Sequence, residues 1–264
     1  MRRLVGCLAA LAAAVGLLSG CFGSDEADSQ SSASRSPTIT GTITVFAAAS
    51  LQDAFTELAT TFERKHSGSK VVLNFGPSSG LAQQIGQGAP ADVFASASTK
   101  TMDQVVSGGD ASDPRDFATN TMEIAVPPDN PAGITSVADL ARKDVKVALC
   151  QADVPCGAAA LKVFESAQIT VTPVTEELDV KAALSKVTLG EVDGGVVYVT
   201  DVRAAGDLVR GIEIPDEVNA STTYPIATLA DSKNRVTAEA FVDYVLSPDG
   251  IGALAAAGFG RPLT

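Results

Sequence analysis

The chain has 264 residues, and its 31 acidic against 19 basic side chains give a formal net charge of −12. A surface this acidic repels phosphate groups, which argues against nucleic acid or an anionic membrane face as the partner. The same charge opposes any anion, so an anion site in this chain would have to work through short-range dipoles.

The first twenty residues have the layout of a secretory signal, because Arg2 and Arg3 precede an apolar run from Leu4 to Leu18. The run stops at Leu18-Ser19-Gly20-Cys21, which resembles the lipobox of bacterial lipoproteins. We therefore predict a signal peptide over 1–20 and a lipid anchor at Cys21, on the outer face of the cytoplasmic membrane. The alternative is an uncleaved transmembrane helix, which needs about 20 apolar residues, whereas a polar tract follows here at once.

Residues 21–40 are predicted to be a disordered tether, because Gly23 to Thr40 is mostly Ser, Asp, Ala and Gln. Such a segment has too few large apolar side chains to offset the entropy of ordering. The remaining residues are enough for one large or two smaller cores.

The first folded block alternates strand and helix. A helix is predicted to begin at Ser50, with Asp53 placed as in a capping box. A second short helix is predicted to run from Leu81 to Ile85, and a third to follow the third strand. The predicted strands are Thr42–Phe46, Lys70–Phe75, Ala91–Ala97 and Met122–Val126.

A second alternating block follows the break at 127–131, where three prolines occur. Its predicted strands are Lys146–Leu149, Thr170–Val174 and Gly194–Val199, and its predicted helices are Gly157–Ser166 and Asp179–Leu189. One more strand follows Tyr224-Pro225-Ile226, and a last helix is predicted over Arg235–Leu246.

This pattern predicts an α/β fold of two lobes, each a mixed sheet flanked by helices. Residues 41–122 and 226–264 would form lobe 1, and residues 123–225 lobe 2. Ligands of open α/β sheets bind beyond the carboxyl ends of strands, so we expect the site in the cleft between the lobes.

Cys150 and Cys156 remain once the leader and Cys21 are set aside. In an oxidising compartment they could form a disulfide, but a pair of buried thiols is the alternative. His66 is the only histidine, which argues against a zinc site.

Ser50 and Ser78 each stand where a strand gives way to a helix, so their hydroxyls and nearby amides could bind an anion. For Ser50 the alternative is an ordinary N-cap whose hydroxyl bonds its own helix. Helices that begin near Cys156 and Val180 follow strands in the same way.

Long stretches of the chain resemble one family. They are Val45-Phe-Ala-Ala-Ala-Ser50-Leu51, Ser78-Ser79-Gly80-Leu81-Ala82-Gln83-Gln84-Ile85, Gly88-Ala-Pro-Ala-Asp92-Val-Phe94, Asp179-Val180-Lys-Ala-Ala-Leu184 and Gly195-Val-Val-Tyr198. Over Thr42 to Thr264 the chain resembles the periplasmic molybdate-binding proteins of ABC importers. The resemblance implies a type II periplasmic-binding-protein fold, molybdate or tungstate as ligand, no cofactor, an importer permease as partner and a monomeric protein that is not an enzyme.

In that family the oxyanion is held by hydroxyls and main-chain amides without a cation. The positions that match here are Ser50, Ser78, Cys156, Val180 and Tyr198. Tyr198 taken alone would more often be a core residue. Cys156 departs from the small residue that is common in the family, although an amide donor does not depend on its side chain.

Other readings remain open. A receptor for sulfate or phosphate is the nearest alternative, while ferric receptors favour clustered tyrosines and those of this chain are scattered in the sequence. An enzyme is disfavoured because the sequence has no G-x-S-x-G elbow, no Walker loop and no plausible histidine base. A purely structural surface lipoprotein would show no stabilisation by any ligand.

Overall fold

One nine-stranded mixed sheet runs through residues 38–262, the part of the chain that this computed structural model describes. The strands are β1 (Gly41–Ala48), β2 (Ser69–Gly76), β3 (Val93–Ala95), β4 (Arg115–Val126), β5 (Val147–Cys150), β6 (Thr175–Glu177), β7 (Gly194–Tyr198), β8 (Arg210–Glu213) and β9 (Ser221–Thr228). The predicted signal peptide, the lipidation site at Cys21 and the tether up to residue 37 lie outside the described residues.

Eight α-helices accompany these strands in the described range. They are α1 (Gln52–Lys65), α2 (Ser78–Gly86), α3 (Thr99–Ser107), α4 (Pro155–Ser166), α5 (Val180–Thr188), α6 (Val199–Ala205), α7 (Arg235–Leu246) and α8 (Pro248–Ala256). None of the helices within residues 38–262 is long and apolar enough to cross a membrane.

The strand order is β2-β1-β3-β9-β4-β7-β5-β6, with β8 paired to β4. β4 connects two sections of this sheet. Its first part pairs with β9, from Arg115 to Thr121, and its last part pairs with β7 and β8, from Met122 to Val126. We call the β2-β1-β3-β9 side the first section and the β7-β5-β6-β8 side the second section.

Separate apolar cores stabilise the two sections. In the first section, Phe55, Leu58 and Phe62 of α1 pack with Phe241 of α7. Their spacing places them on one face of the helix, which the sheet and α7 cover. The second section has its own core around Ile124, Val147 and Val196. The lobe boundaries predicted at 122 and 226 fall inside β4 and β9, and the lobe division itself stays a prediction.

Several predicted elements need correction. The helix expected at Ser50 begins at Gln52 instead, because Ala49–Leu51 form a tighter 3-10 turn. The strand expected at Thr170–Val174 lies at Thr175–Glu177, where it pairs with β5; Pro173, which has no N–H to donate, interrupts the earlier segment.

Other corrections concern the lengths of elements and elements that were not predicted. β4 begins at Arg115, well before the predicted Met122, and β3 is only Val93–Ala95. Strand β8 and helices α6 and α8 were not predicted. Ile39, placed in the predicted tether, packs against the first core, and Thr40 donates to and accepts from the Thr237 side chain.

Candidate functional site

A cavity of about 20 Å³ lies at the carboxyl ends of the strands, between the two sections of the sheet. β1, β2 and β7 end at its wall, at Ala48, Gly76 and Tyr198. The structure brings all of the sequence-predicted positions to this one cavity: it is lined by Ser50, Ser78, Cys156, Val180 and Tyr198, with Ala48, Ala49, Gly76, Pro77, Ala97, Val154, Pro155 and Asp179.

Ser50 is 6% exposed, and its hydroxyl is not an N-cap. Its Oγ lies 3.0 Å from the phenol oxygen of Tyr224, which comes from β9. The expected capping box with Asp53 is therefore wrong, because the 3-10 turn carries Ser50 toward the sheet and Asp53 pairs with Lys181 instead.

Ser78 is the first residue of α2 and is 1% exposed. The main-chain N–H of Ala97 donates to its Oγ at 3.0 Å. A backbone N–H can only donate, so the Ser78 oxygen is the acceptor in this bond. The Ser78 proton is therefore left to donate into the cavity.

Cys156 and Val180 reach the cavity at the starts of α4 and α5. The first N–H groups of a helix have no partner inside that helix, and the positive end of the helix dipole lies there. Both residues are almost fully buried. Their main-chain amides can therefore donate to an anion whatever the side chain is.

A disulfide joins Cys150, the last residue of β5, to Cys156, with Cα atoms 5.8 Å apart. The loop is also tight at Gly157, where a Cβ atom would overlap the main-chain carbonyl of Gln151. The start of α4 is thus held against the end of β5 at two neighbouring points.

Tyr198 is 1% exposed, and its hydroxyl has no hydrogen-bond partner among the described residues. An unpaired buried hydroxyl costs roughly 1–3 kcal/mol, so a ligand that accepts from it would recover this energy. Burial raises the pKa of Tyr198 well above its ordinary value. At neutral pH it is therefore an O–H donor and not a phenolate.

No lysine or arginine lines the cavity within residues 38–262. Lys181 directly follows the cavity residue Val180 in the sequence. Its ammonium lies 2.8 Å from Asp53 and 3.3 Å from the fully buried Asp201. The carboxylate of Asp179 accepts from the Ala182 N–H at the start of α5. The hydrogen-bond donors at the cavity wall are thus hydroxyls and main-chain amides, without a cationic side chain among them.

The tyrosines are less scattered than the sequence suggested. The rings of Tyr198 and Tyr224 lie 6.1 Å apart, while Tyr244 packs elsewhere against Phe62. Ferric iron binds phenolate, and burial raises the pKa of both Tyr198 and Tyr224, which opposes that form. The described residues also contain no His, Cys, Asp and Glu cluster suited to a metal ion.

Sequence reasoning missed the groups that stand behind the cavity wall. Tyr224 is 174 residues from Ser50, and Lys181 is 128 residues from Asp53. A tyrosine in an apolar strand and a lysine in the first turn of a helix carry no local signal of such partners. Only the packing of β9 and α5 beside α1 brings them together.

Comparisons with known proteins identify the family. The bacterial extracellular solute-binding protein family matches residues 43–260. The molybdate-binding protein ModA of Mycobacterium tuberculosis is 42% identical over 221 residues, which is 83% of this chain and 85% of that protein.

Two solved structures are similar. The substrate binding domain of a putative molybdenum ABC transporter from Clostridium difficile has a TM-score of 0.64 and 27% identity, and the match covers 84% of this chain and 99% of that one. The periplasmic molybdate-binding protein of Azotobacter vinelandii has a TM-score of 0.74 at 22% identity, over 84% and 100% of the two chains, and shows the fold. The predicted α/β fold is confirmed, and the chain belongs to the bacterial extracellular solute-binding protein family.

Proposed function

We propose that this protein captures molybdate, and tungstate with it, outside the cytoplasmic membrane and delivers it to the permease of an ABC importer. The carrying observation is that hydroxyls and helix-start amides from both sections of the sheet surround one small cavity. The anion-contacting positions are Ser50, Ser78, Cys156, Val180 and Tyr198. Related proteins named for molybdate binding support this choice of ligand.

The chemistry of the donors supports an unprotonated dianion. Every oxygen of molybdate can accept a hydrogen bond, and none needs an acceptor from the protein. Phosphate carries a proton at neutral pH, and among donors alone that O–H would lack a partner, at a cost of roughly 1–3 kcal/mol. Sulfate has no such proton but is smaller, so fixed donors would not all reach it.

Membership of a solute-binding family points to transport and away from catalysis. The protein would act as a monomer, and its net negative charge would repel the phosphates of nucleic acid. Molybdate would be a transported ligand and not a cofactor. Donors from both sections would stabilise the closed arrangement on binding, which is the form that a permease can recognise.

The decisive experiment is competitive titration calorimetry of the purified protein with molybdate, tungstate, sulfate and phosphate. We expect molybdate and tungstate to bind more tightly than the other two. A molybdate concentration of 100 times Kd should add about 2.7 kcal/mol to the free energy of unfolding. Tighter binding of sulfate or phosphate would favour the alternative receptor, and no stabilisation by any anion would contradict an oxyanion-binding function.

We also propose that lipid on Cys21 holds the protein at the outer face of the cytoplasmic membrane. The support is the sequence Leu18-Ser19-Gly20-Cys21 after the apolar run. Cys21→Ala should abolish metabolic labelling with palmitate and release the protein from the membrane fraction. Labelling that persists in this variant would contradict the anchor.

A further inference from the structure

The hydroxyl of Ser50 belongs to a chain of buried hydrogen bonds that continues away from the cavity. Asn120 lies on β4, Thr200 on α6 and Tyr224 on β9, and all three are at most 4% exposed. Bulk water therefore cannot replace a member of this chain, and the direction of each bond follows from the chemistry of its two partners.

The direction is fixed first at Asn120. The main-chain N–H of Thr121 donates to Asn120 Oδ1 at 3.0 Å. Because a backbone N–H cannot accept, the Asn120 oxygen must face it. The amide nitrogen is then turned the other way, where it donates to Thr200 Oγ1 at 2.8 Å and approaches the Tyr224 hydroxyl at 3.5 Å.

The next member of this chain of hydrogen bonds is Tyr224. Within the described residues its hydroxyl lies 3.0 Å from Ser50 Oγ and 3.5 Å from the Asn120 amide nitrogen, with the hydroxyls of Thr222 and Tyr198 also nearby. The Asn120 nitrogen is a donor, so it leaves the Tyr224 proton for another partner. When Ser50 donates its proton to an anion in the cavity, the 3.0 Å bond between Ser50 and Tyr224 requires Tyr224 as its donor.

Contacts of its aromatic ring fix the position of the Tyr224 hydroxyl. Tyr224 makes edge contacts with Phe117, Tyr198 and Phe259, at ring-centroid distances of 6.2, 6.1 and 5.4 Å. Removal of the hydroxyl alone would leave these contacts intact. The hydroxyl can therefore be tested separately from the packing of the ring.

We propose that Tyr224, held by Asn120, is a positioning residue that turns the Ser50 hydroxyl toward the cavity, so that its proton is donated to the anion. This inference rests on the proposed function. It assigns part of the affinity for the anion to a residue that is not among the cavity-lining residues.

The test is a double-mutant cycle with Ser50→Ala and Tyr224→Phe, measured as molybdate Kd. We expect Tyr224→Phe to raise Kd about five- to tenfold in the wild-type background, as for loss of one hydrogen bond between neutral groups. In the Ser50→Ala background it should have no further effect. Additive losses would overturn the proposal.

A second readout separates positioning from a structural role. Tyr224→Phe keeps the ring contacts, so the ligand-free variant should still unfold cooperatively, while a fixed concentration of molybdate should stabilise it less than it stabilises the wild type. Equal stabilisation of variant and wild type by molybdate would overturn the proposal. Tyr244→Phe, which removes the hydroxyl of a tyrosine that packs near Lys65, is the matched control and should leave molybdate affinity unchanged.

The outcomes separate this inference from the proposed function. If the wild type binds neither molybdate nor any other oxyanion, the proposed function itself is wrong. If the wild type binds molybdate and Tyr224→Phe binds it equally well, only the role of Tyr224 is wrong.

Discussion

At the residue scale, two serine hydroxyls of the cavity each have a hydrogen-bonding partner in the protein. Ala97 engages Ser78 through a main-chain amide, and Tyr224 lies within hydrogen-bond distance of Ser50. A hydroxyl that accepts from a protein donor keeps its proton free for a ligand. These two serines are thereby suited to a ligand that accepts at every oxygen.

Ser78→Ala should weaken molybdate binding by about 1–3 kcal/mol, because one hydrogen bond to a charged ligand is lost. Titration calorimetry gives the change directly. Ser79→Ala, one residue further along α2 and outside the cavity wall, is the control. Unchanged affinity in Ser78→Ala would show that this hydroxyl does not contact the anion.

Tyr198→Phe should separate binding from stability. The hydroxyl has no protein partner within the described residues, so its removal should leave the ligand-free melting temperature unchanged or slightly higher. Molybdate affinity should fall by about 1–3 kcal/mol for the same reason as in Ser78→Ala. A lower melting temperature with unchanged affinity would make Tyr198 a core residue instead.

The positions at the cavity could be predicted because their motifs are local. A strand end followed by a helix start places Ser78 or Val180 at a sheet edge, and this geometry depends only on neighbouring residues. The partners could not be predicted in this way. For Ser50 the alternative was a cap on its own helix, and nothing near it in the sequence indicates that β9 supplies Tyr224.

At the element scale, the junction of β5 and α4 is the most constrained of the helix starts at the cavity. The Cys150–Cys156 disulfide closes it, and Gly157 allows the main chain of Gln151 to approach α4. The sequence left a disulfide and buried thiols both open, because spacing alone does not show whether the loop turns back. The structure has the cysteines bonded.

Replacing both cysteines by alanine should lower the free energy of unfolding by about 2 kcal/mol, the loop-closure value for so short a loop. Molybdate affinity should be largely retained, because the donor at position 156 is the main-chain amide. Urea unfolding of the variant, and of the wild type with and without reductant, measures the change. Equal stability of variant and oxidised wild type would contradict a stabilising disulfide.

Strand and helix types were predicted better than their ends. α7 has the predicted bounds, Arg235–Leu246, because its apolar periodicity stops at Ser247-Pro248. β4 was predicted too short, because its first half is defined by its pairing with β9 and not by an alternation of apolar and polar residues. Such pairing depends on contacts far apart in the sequence, which a local pattern does not contain.

At the scale of the whole molecule, Lys181 joins the two sections beside the cavity. It lies on α5 in the second section, and it pairs with Asp53 of α1 in the first and with Asp201 of α6. Burial works to lower the pKa of Lys181, but the two carboxylates outweigh it and hold that pKa above its ordinary value. The ammonium therefore stays charged and links the sections at neutral pH.

The buried carboxylate of this cluster should make global stability depend on pH. Burial raises the pKa of Asp201 to about 6, although the nearby Lys181 acts to lower it. In the unfolded chain an aspartate has a pKa of about 4. Between these values the folded protein holds a proton that the unfolded chain has lost, so the contribution of Asp201 to stability is full at lower pH and falls as the pH rises to about 6.

Asp201→Asn removes this titration while the side-chain oxygen can still accept from the Tyr198 N–H. The free energy of unfolding of the variant minus that of the wild type should therefore increase by about 1–3 kcal/mol from pH 4 to pH 7. Urea unfolding across this range measures it, with Asp103→Asn on the exposed side of α3 as the control for loss of one negative charge. A difference that stays constant with pH would mean that Asp201 is ionised in the folded protein throughout, and that Lys181 fully offsets its burial.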